Sequence, residues 1–222
     1  MKFGYALAAA ALAVSGLANA ATIDWNTWAS NGAGSISTTS GPISVIYAGE
    51  MSGYYTDYPS WGPSATFADG TVVANAPVAA NGIVRLIGGG GGSAVVDTIT
   101  FSHAVVNPVF SIWSLGQGGD TASFSFIGAT PVFVSGGPGA EYGGSSITVS
   151  GNDVIGTEGD GTVQFIGTFT SISWTNPVAE NWYGFNVGVA GVAGVVPEPG
   201  SIGMLLAGLT LTGLALRRRN LG

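Results

Sequence analysis

Cysteine is absent from the chain. That absence removes disulfides, thiolate metal sites, c-type haem attachment, a cysteine nucleophile and a lipidated N-terminal cysteine together. Lysine is nearly absent too, Lys2 being the only one among 222 residues. With no later lysine there is no P-loop lysine, no Schiff-base lysine and no Ser–Lys dyad. Histidine occurs once, as His103. One histidine does not furnish a catalytic zinc site. It lies in "TFSHAVV", a strand-like stretch, and no serine sits in the G-x-S-x-G elbow that exposes a hydrolase nucleophile. His103 is therefore read as a strand histidine.

Charge is scarce and unevenly placed. Charged residues make up 8% of the chain, against roughly 25% in an ordinary soluble domain. Lys2, Arg217, Arg218 and Arg219 stand at the two ends, and Arg85 is the only cation between them. Residues 21–196 carry eleven acids against one arginine, a net charge of −10. Such a surface repels nucleic acid and anionic lipid. The 38 glycines have no three-residue period, so the chain is not collagenous.

The N-terminus reads "MKFGYALAAAALAVSGLANAATIDW". Lys2 supplies a positive n-region, Tyr5 to Val14 an apolar h-region, and Ala18-Asn19-Ala20 an A-x-A cleavage site. This is the pattern of a secretory signal peptide over residues 1–20, with a mature protein beginning at Ala21.

The C-terminus reads "VVPEPGSIGMLLAGLTLTGLALRRRNLG". Ile202 to Leu216 carries no charge. Its fifteen residues make about 22 Å of helix, short of the roughly 30 Å bilayer core. Arg217–Arg219 would stay cytoplasmic by the positive-inside rule. The tail thus suits a transient halt in export better than a permanent span.

Pro197-Glu198-Pro199, a short apolar helix and the cluster Arg217, Arg218, Arg219 together resemble the PEP-CTERM sorting signal. The resemblance covers Val196 to Arg219. It implies an exported protein of a Gram-negative bacterium that makes extracellular polysaccharide. It also implies the Sec translocon, signal peptidase and a membrane-embedded exosortase as partners. The precursor would be inserted transiently in the inner membrane, and the product would reach the cell surface or extracellular matrix.

Between the ends, short alternating or apolar runs are broken by Gly, Pro, Asn and Ser. They are Ile43–Tyr47, Ile83–Ile87, Val95–Phe101, Val109–Leu115, Ser123–Phe126, Pro131–Ser135, Ser146–Ser150, Thr162–Phe165, Phe169–Trp174 and Tyr183–Val189. This spacing predicts an all-β domain of ten to twelve strands over 21–190, a two-sheet sandwich of jelly-roll type. Residues 191–196 read as a short tether and 197–222 as the sorting signal. Stretches within Thr98 to Val189, "ITFSHAVVNPVFSIWSLGQ" among them, resemble ectodomains that recur on PEP-CTERM proteins. That resemblance implies export and a β-fold and carries no chemistry.

Three groups of residues bear on function. "GGGGG" over Gly88–Gly92 has no following G-K-[ST] and reads as a loop. "NDVIGTEGDGT" sets Asp153, Glu158 and Asp160 in a Gly-rich stretch, where hard oxygen ligands suit a structural Ca²⁺. The spacing is not that of an EF-hand, and a pair of hairpin turns is the plainer reading. "MSGYYTDYPSWGPS" gathers Tyr54, Tyr55, Tyr58 and Trp61, rings of the kind that stack on sugars, although such a loop also packs back on a sandwich. Trp113 and Trp174 read as core. Glu141, Glu158, Asp160 and Glu180 could supply a glycosidase pair, but no motif pairs them. The sequence therefore points to a non-catalytic surface or matrix protein. The alternative is a carbohydrate-binding, or less readily carbohydrate-cleaving, module. No cofactor beyond a structural calcium is expected.

Overall fold

A computed structural model describes residues 20–89 and 95–192. Residues 1–19 of the signal peptide, the centre of the glycine run and the sorting tail with its Pro-Glu-Pro and arginines lie outside the described residues. Among the described residues no helix is long and apolar enough to cross a membrane.

The strands, in chain order, are β1 (Asp24–Ser30), β2 (Ala33–Thr38), β3 (Gly41–Ala48), β4 (Gly53–Tyr55), β5 (Ile83–Leu86), β6 (Val96–Val106), β7 (Val109–Leu115), β8 (Ala122–Ile127), β9 (Pro131–Gly137), β10 (Ser145–Ser146), β11 (Thr148–Ser150), β12 (Asp153–Gly156), β13 (Gly159–Phe165), β14 (Thr168–Thr175) and β15 (Tyr183–Val189). One turn of helix, α1 (Ser64–Phe67), lies between β4 and β5. The fold is all-β, as the turn spacing predicts, with fifteen strands among the described residues rather than ten to twelve. The unforeseen ones are β1, β2, β4 and β12. In β1 the buried positions include Asn26 beside Trp25 and Trp28, which breaks the period of two. In β2 only Ile36 is a buried apolar residue among Gly, Ser and Thr.

The first layer runs β4-β5-β15-β7-β13-β9 and the second β2-β3-β6-β14-β8-β12-β11. Strand β1 joins them. Asp24 and Trp25 pair with β15, and Asn26 to Ser30 pair with β2. The result is one large, nearly closed sheet, antiparallel except where β10 runs parallel to β13. Between the layers Phe110 stacks on Phe185 with centroids 5.6 Å apart, and Trp174 meets Phe185 edge-on at 5.1 Å. Edge and offset contacts of this kind suit the ring quadrupoles. Trp113 and Trp174 are both fully buried, although only Trp174 lies between the layers.

β15 explains how the first layer is covered on its other side. Tyr183, Phe185, Val187 and Val189 enter the central core, while Gly184, Asn186 and Gly188 face outward. The segment 56–82 lies over that outward face. The glycines of β15 also leave room on that face for Ile83 of β5 and for Ile23 and Trp25 at the start of the domain. A Cβ on Gly184 would sit 2.4 Å from Ile83, and one on Gly188 would sit 2.4 Å from Ile23 and 2.7 Å from the Trp25 ring. Asn186 ties the cover down, its amide donating to the carbonyls of Asn26, Asn81 and Gly82 at 3.1, 3.0 and 2.8 Å. Thr162 Oγ1 donates to the Phe67 carbonyl at 2.8 Å. Under this cover Trp113 packs with Trp61, Phe67 and Ile83.

The chain enters and leaves the domain at one end. Asp24 pairs with Val189 at the close of β15, and Val192 bridges to Val105. Gly191 and Val192, expected as tether, still pair with β6. The opposite end holds the start of β15, the close of β7 and the start of β13, and it is there that the polar chemistry gathers.

Candidate functional site

A β-bulge shapes this end. On β13 only Asp160 stands between Gly159 and Gly161, while on β7 both Trp113 and Ser114 stand between their partners Ile112 and Leu115. Ser114 takes φ 55°, the left-handed region that L-residues seldom enter. Glu158, on the corner where the chain crosses from β12 to β13, takes φ 52°. Such conformations persist only where the surroundings hold them, and they concentrate at functional sites. Ser114 Oγ donates to Glu158 Oε2 at 2.9 Å, and the Ser114 amide donates to Asp160 Oδ1 at 2.9 Å.

Glu180 reaches the same place from the loop between β14 and β15. The Gly116 amide donates to its Oε1 at 2.8 Å. Ser114, Gln117, Tyr142, Glu158, Glu180 and Trp182 are among the residues that line an open recess of about 190 Å³. Burial, reinforced by Glu158 and Asp120, pushes the Glu180 carboxyl up to about 7. Asp160 lies behind the recess and is also pushed up to about 7, by burial first and then by Glu158 and Glu141. The four carboxylates that the sequence offered without a pairing motif, Glu141, Glu158, Asp160 and Glu180, therefore converge on one end of the domain.

Trp182 separates this recess from a second of about 410 Å³, lined by Tyr55, Asp57, Tyr58 and Trp182. The rings form a continuous group. Tyr58 lies 5.8 Å from Trp182 and 5.5 Å from Trp113, and Tyr142 lies 5.3 Å from Trp113. Burial and hydrogen bonds to Glu141 and Tyr142 raise the Tyr58 hydroxyl well above the ordinary phenol range. Arg85 braces the group. It donates to Tyr55 Oη at 3.0 Å, to Ser52 Oγ at 3.0 Å and to the Ser52 carbonyl at 3.1 Å. Its guanidinium lies 5.6 Å from the Tyr55 ring and 5.8 Å from the Trp182 ring, within cation–π range.

The four rings proposed from sequence do not share one face. Tyr55 and Tyr58 line the second recess, and Tyr55 is 37% exposed. Tyr54 packs against the central core. Trp61 is only 5% exposed and meets Phe67 at 5.1 Å, because the outward face of the first layer needs an apolar cover. Half-buried Trp182 and exposed Tyr142 complete the group at the recesses, and no local motif in the sequence marks either.

The proposed calcium set is likewise divided. Asp153 opens β12 and pairs with Ser125, whereas Glu158 and Asp160 lie beyond the other end of that strand. The stretch read as a loop is strand, corner and strand. Asp160 is buried and accepts backbone amides, and no group of three His, Cys, Asp or Glu suited to a metal occurs among the described residues. His103 is exposed on β6, with Nδ1 3.0 Å from Ser102 Oγ. Ala20 and Ala21 begin the described chain, and Ala21 bridges to Val73. Ala18 and Pro197, Glu198, Pro199, Arg217, Arg218 and Arg219 lie outside the described residues.

A family model described as the PEP-CTERM protein-sorting motif matches residues 195–219. No curated protein and no solved structure matches the chain. The chain thus carries a PEP-CTERM sorting motif and is an exported protein sorted by exosortase.

Proposed function

We propose that this protein is a non-catalytic component of the cell surface or extracellular matrix of a Gram-negative bacterium, and that it holds exopolysaccharide in the cleft around Trp182. Export would run through the Sec translocon and signal peptidase, with the precursor halted in the inner membrane by its C-terminal helix until exosortase acts. The observation that carries the binding reading is the aromatic group that lines the two recesses, with Tyr55 and Tyr142 exposed and Tyr58 and Trp182 half-buried, flanked by carboxylates. Ring faces stack on the apolar faces of sugars, and carboxylates accept from sugar hydroxyls, which together give a carbohydrate site its grip and orientation. The cleft lies at the end of the domain away from Val192, from which the chain continues to the sorting motif. A tail held at the membrane would leave the cleft facing outward.

Binding is tested by exposing the secreted protein to the host's own polysaccharide and to a glycan array. Capture that is lost in Tyr55→Ala and Trp182→Ala supports the reading, and no capture by any glycan overturns it. Sorting is tested by mass spectrometry of the mature protein, which should yield no peptide before Ala21 and none beyond the Pro-Glu-Pro region. Recovery of "GLALRRR" on mature molecules would refute processing. A second, carbohydrate-cleaving reading draws support from Glu158 and Glu180 lining one recess. Release of reducing ends from the bound polysaccharide, abolished in Glu180→Gln, would establish it.

A further inference from the structure

The charge of the recess says more than its rings do. Glu158 and Glu180 both line it, and each is held through a single carboxylate oxygen, by Ser114 Oγ and by the Gly116 amide. Among the described residues the second oxygen of each carboxylate has no hydrogen-bond partner. Among the described residues no cation serves them. Arg85 is the only Lys or Arg among the described residues. It lines neither recess, and its donors go to Ser52 and Tyr55.

Different ligands meet this arrangement differently. A neutral sugar would leave the two carboxylates repelling each other in a partly desolvated place. A uronic acid would add a third negative charge. An ammonium group would relieve the repulsion, have its own desolvation offset by the two carboxylates, and find the Trp182 and Tyr142 rings beside it.

We propose that the recess between Glu158 and Glu180 recognises the ammonium group of an unacetylated amino sugar, with the sugar ring against Trp182 and the adjoining units running over Tyr55 and Tyr58. The inference rests on the glycan-binding reading and narrows it to a cationic polysaccharide. The raised carboxyls of Glu180 and Asp160 agree with it, since a bound cation would draw them back into the ionised form and release protons.

The test compares four probes on the mature secreted protein by calorimetry. They are a glucosamine tetramer, the N-acetylglucosamine tetramer, a galacturonate tetramer and a lysine-containing tetrapeptide of equal charge to the first. The glucosamine tetramer should bind at least tenfold more tightly than the other three. E158Q and E180Q should each reduce that preference at least fivefold while leaving the circular dichroism spectrum unchanged. D153N, at the far end of β12, should leave it intact. Equal or tighter binding of the acetylated tetramer overturns the cationic ligand and leaves the glycan reading standing. A lysine peptide that binds as well as the sugar overturns it in favour of a protein partner. A preference weakened equally by D153N shows attraction to the net charge of the domain and overturns it also. Failure of all three sugars to bind overturns both readings.

Discussion

Ser114 and Glu158 face each other across the end of the sandwich, both in the left-handed region, with the serine hydroxyl donating to the glutamate at 2.9 Å. Neither residue is a glycine, yet each occupies a backbone conformation that a glycine would adopt without strain. The strain is held by the bulge on β7 and by the hydrogen bond from the Ser114 amide to Asp160. It lies in the recess that the aromatic group borders.

That relationship separates strain from recognition. Ser114→Gly should keep or raise stability, by about 1 kcal/mol, because relief of the positive φ offsets the extra entropy of glycine in the unfolded chain. It should also release Glu158 and weaken ligand binding. Denaturant unfolding and calorimetry on the same preparation check the two effects, and a loss of stability above about 1 kcal/mol counts against strain at this position.

The aromatic residues divide into two behaviours. Trp61→Ala should cost about 3–5 kcal/mol, since it empties a buried site packed against Trp113 and Phe67. Trp182→Ala should change stability much less and remove binding. Urea titrations distinguish them. Similar destabilisation by both variants would mean that Trp182 belongs to the core.

Gly188 tests the cover over the first layer. A Cβ there would lie 2.4 Å from Ile23 and 2.7 Å from Trp25. Gly188→Val should cost about 2–3 kcal/mol through overpacking. Its effect should appear as faster hydrogen exchange in residues 21–26 and 73–76, which lean on that face.

Acidity should stabilise the domain. Burial raises Asp160 and Glu180 to about 7 and Asp97 to about 6, whereas unfolded carboxylates titrate at 3.8 for Asp and 4.5 for Glu. Between about 4 and 7 the native state therefore holds protons that the unfolded chain has released. Stability from these groups falls as pH rises through that window and levels off above it. Thermal melts should give a higher midpoint at pH 5 than at pH 8, and Asp160→Asn should flatten the slope. A midpoint that rises from pH 5 to pH 8 would contradict the buried, raised carboxyls.

The sequence by itself determined the class of the fold and that the protein is exported and sorted by exosortase. Strand-forming residues alternating between the central core and the opposite face, bounded by turn residues, made β7, β8, β13, β14 and β15 legible from neighbouring residues alone, although β7, β13 and β15 are buried on both faces. The sorting motif was legible for the same reason, since its parts are consecutive in the chain. Where burial does not follow the alternation, the sequence is silent. β1 changes layers in mid-strand, so Asn26 is buried beside two tryptophans and the pattern is lost. Tertiary structure alone decided that Trp61 is core and Trp182 lies half-buried at a recess, because the same indole serves either role until the outward face of β15 and β7 is known to need a cover. It alone brought Ser114, Glu158 and Glu180 together, from β7, a corner and a loop as many as 66 residues apart. Side chains that distant in the chain share an environment only when antiparallel pairing folds their strand ends onto one rim, and that pairing is set by the packing of the whole domain.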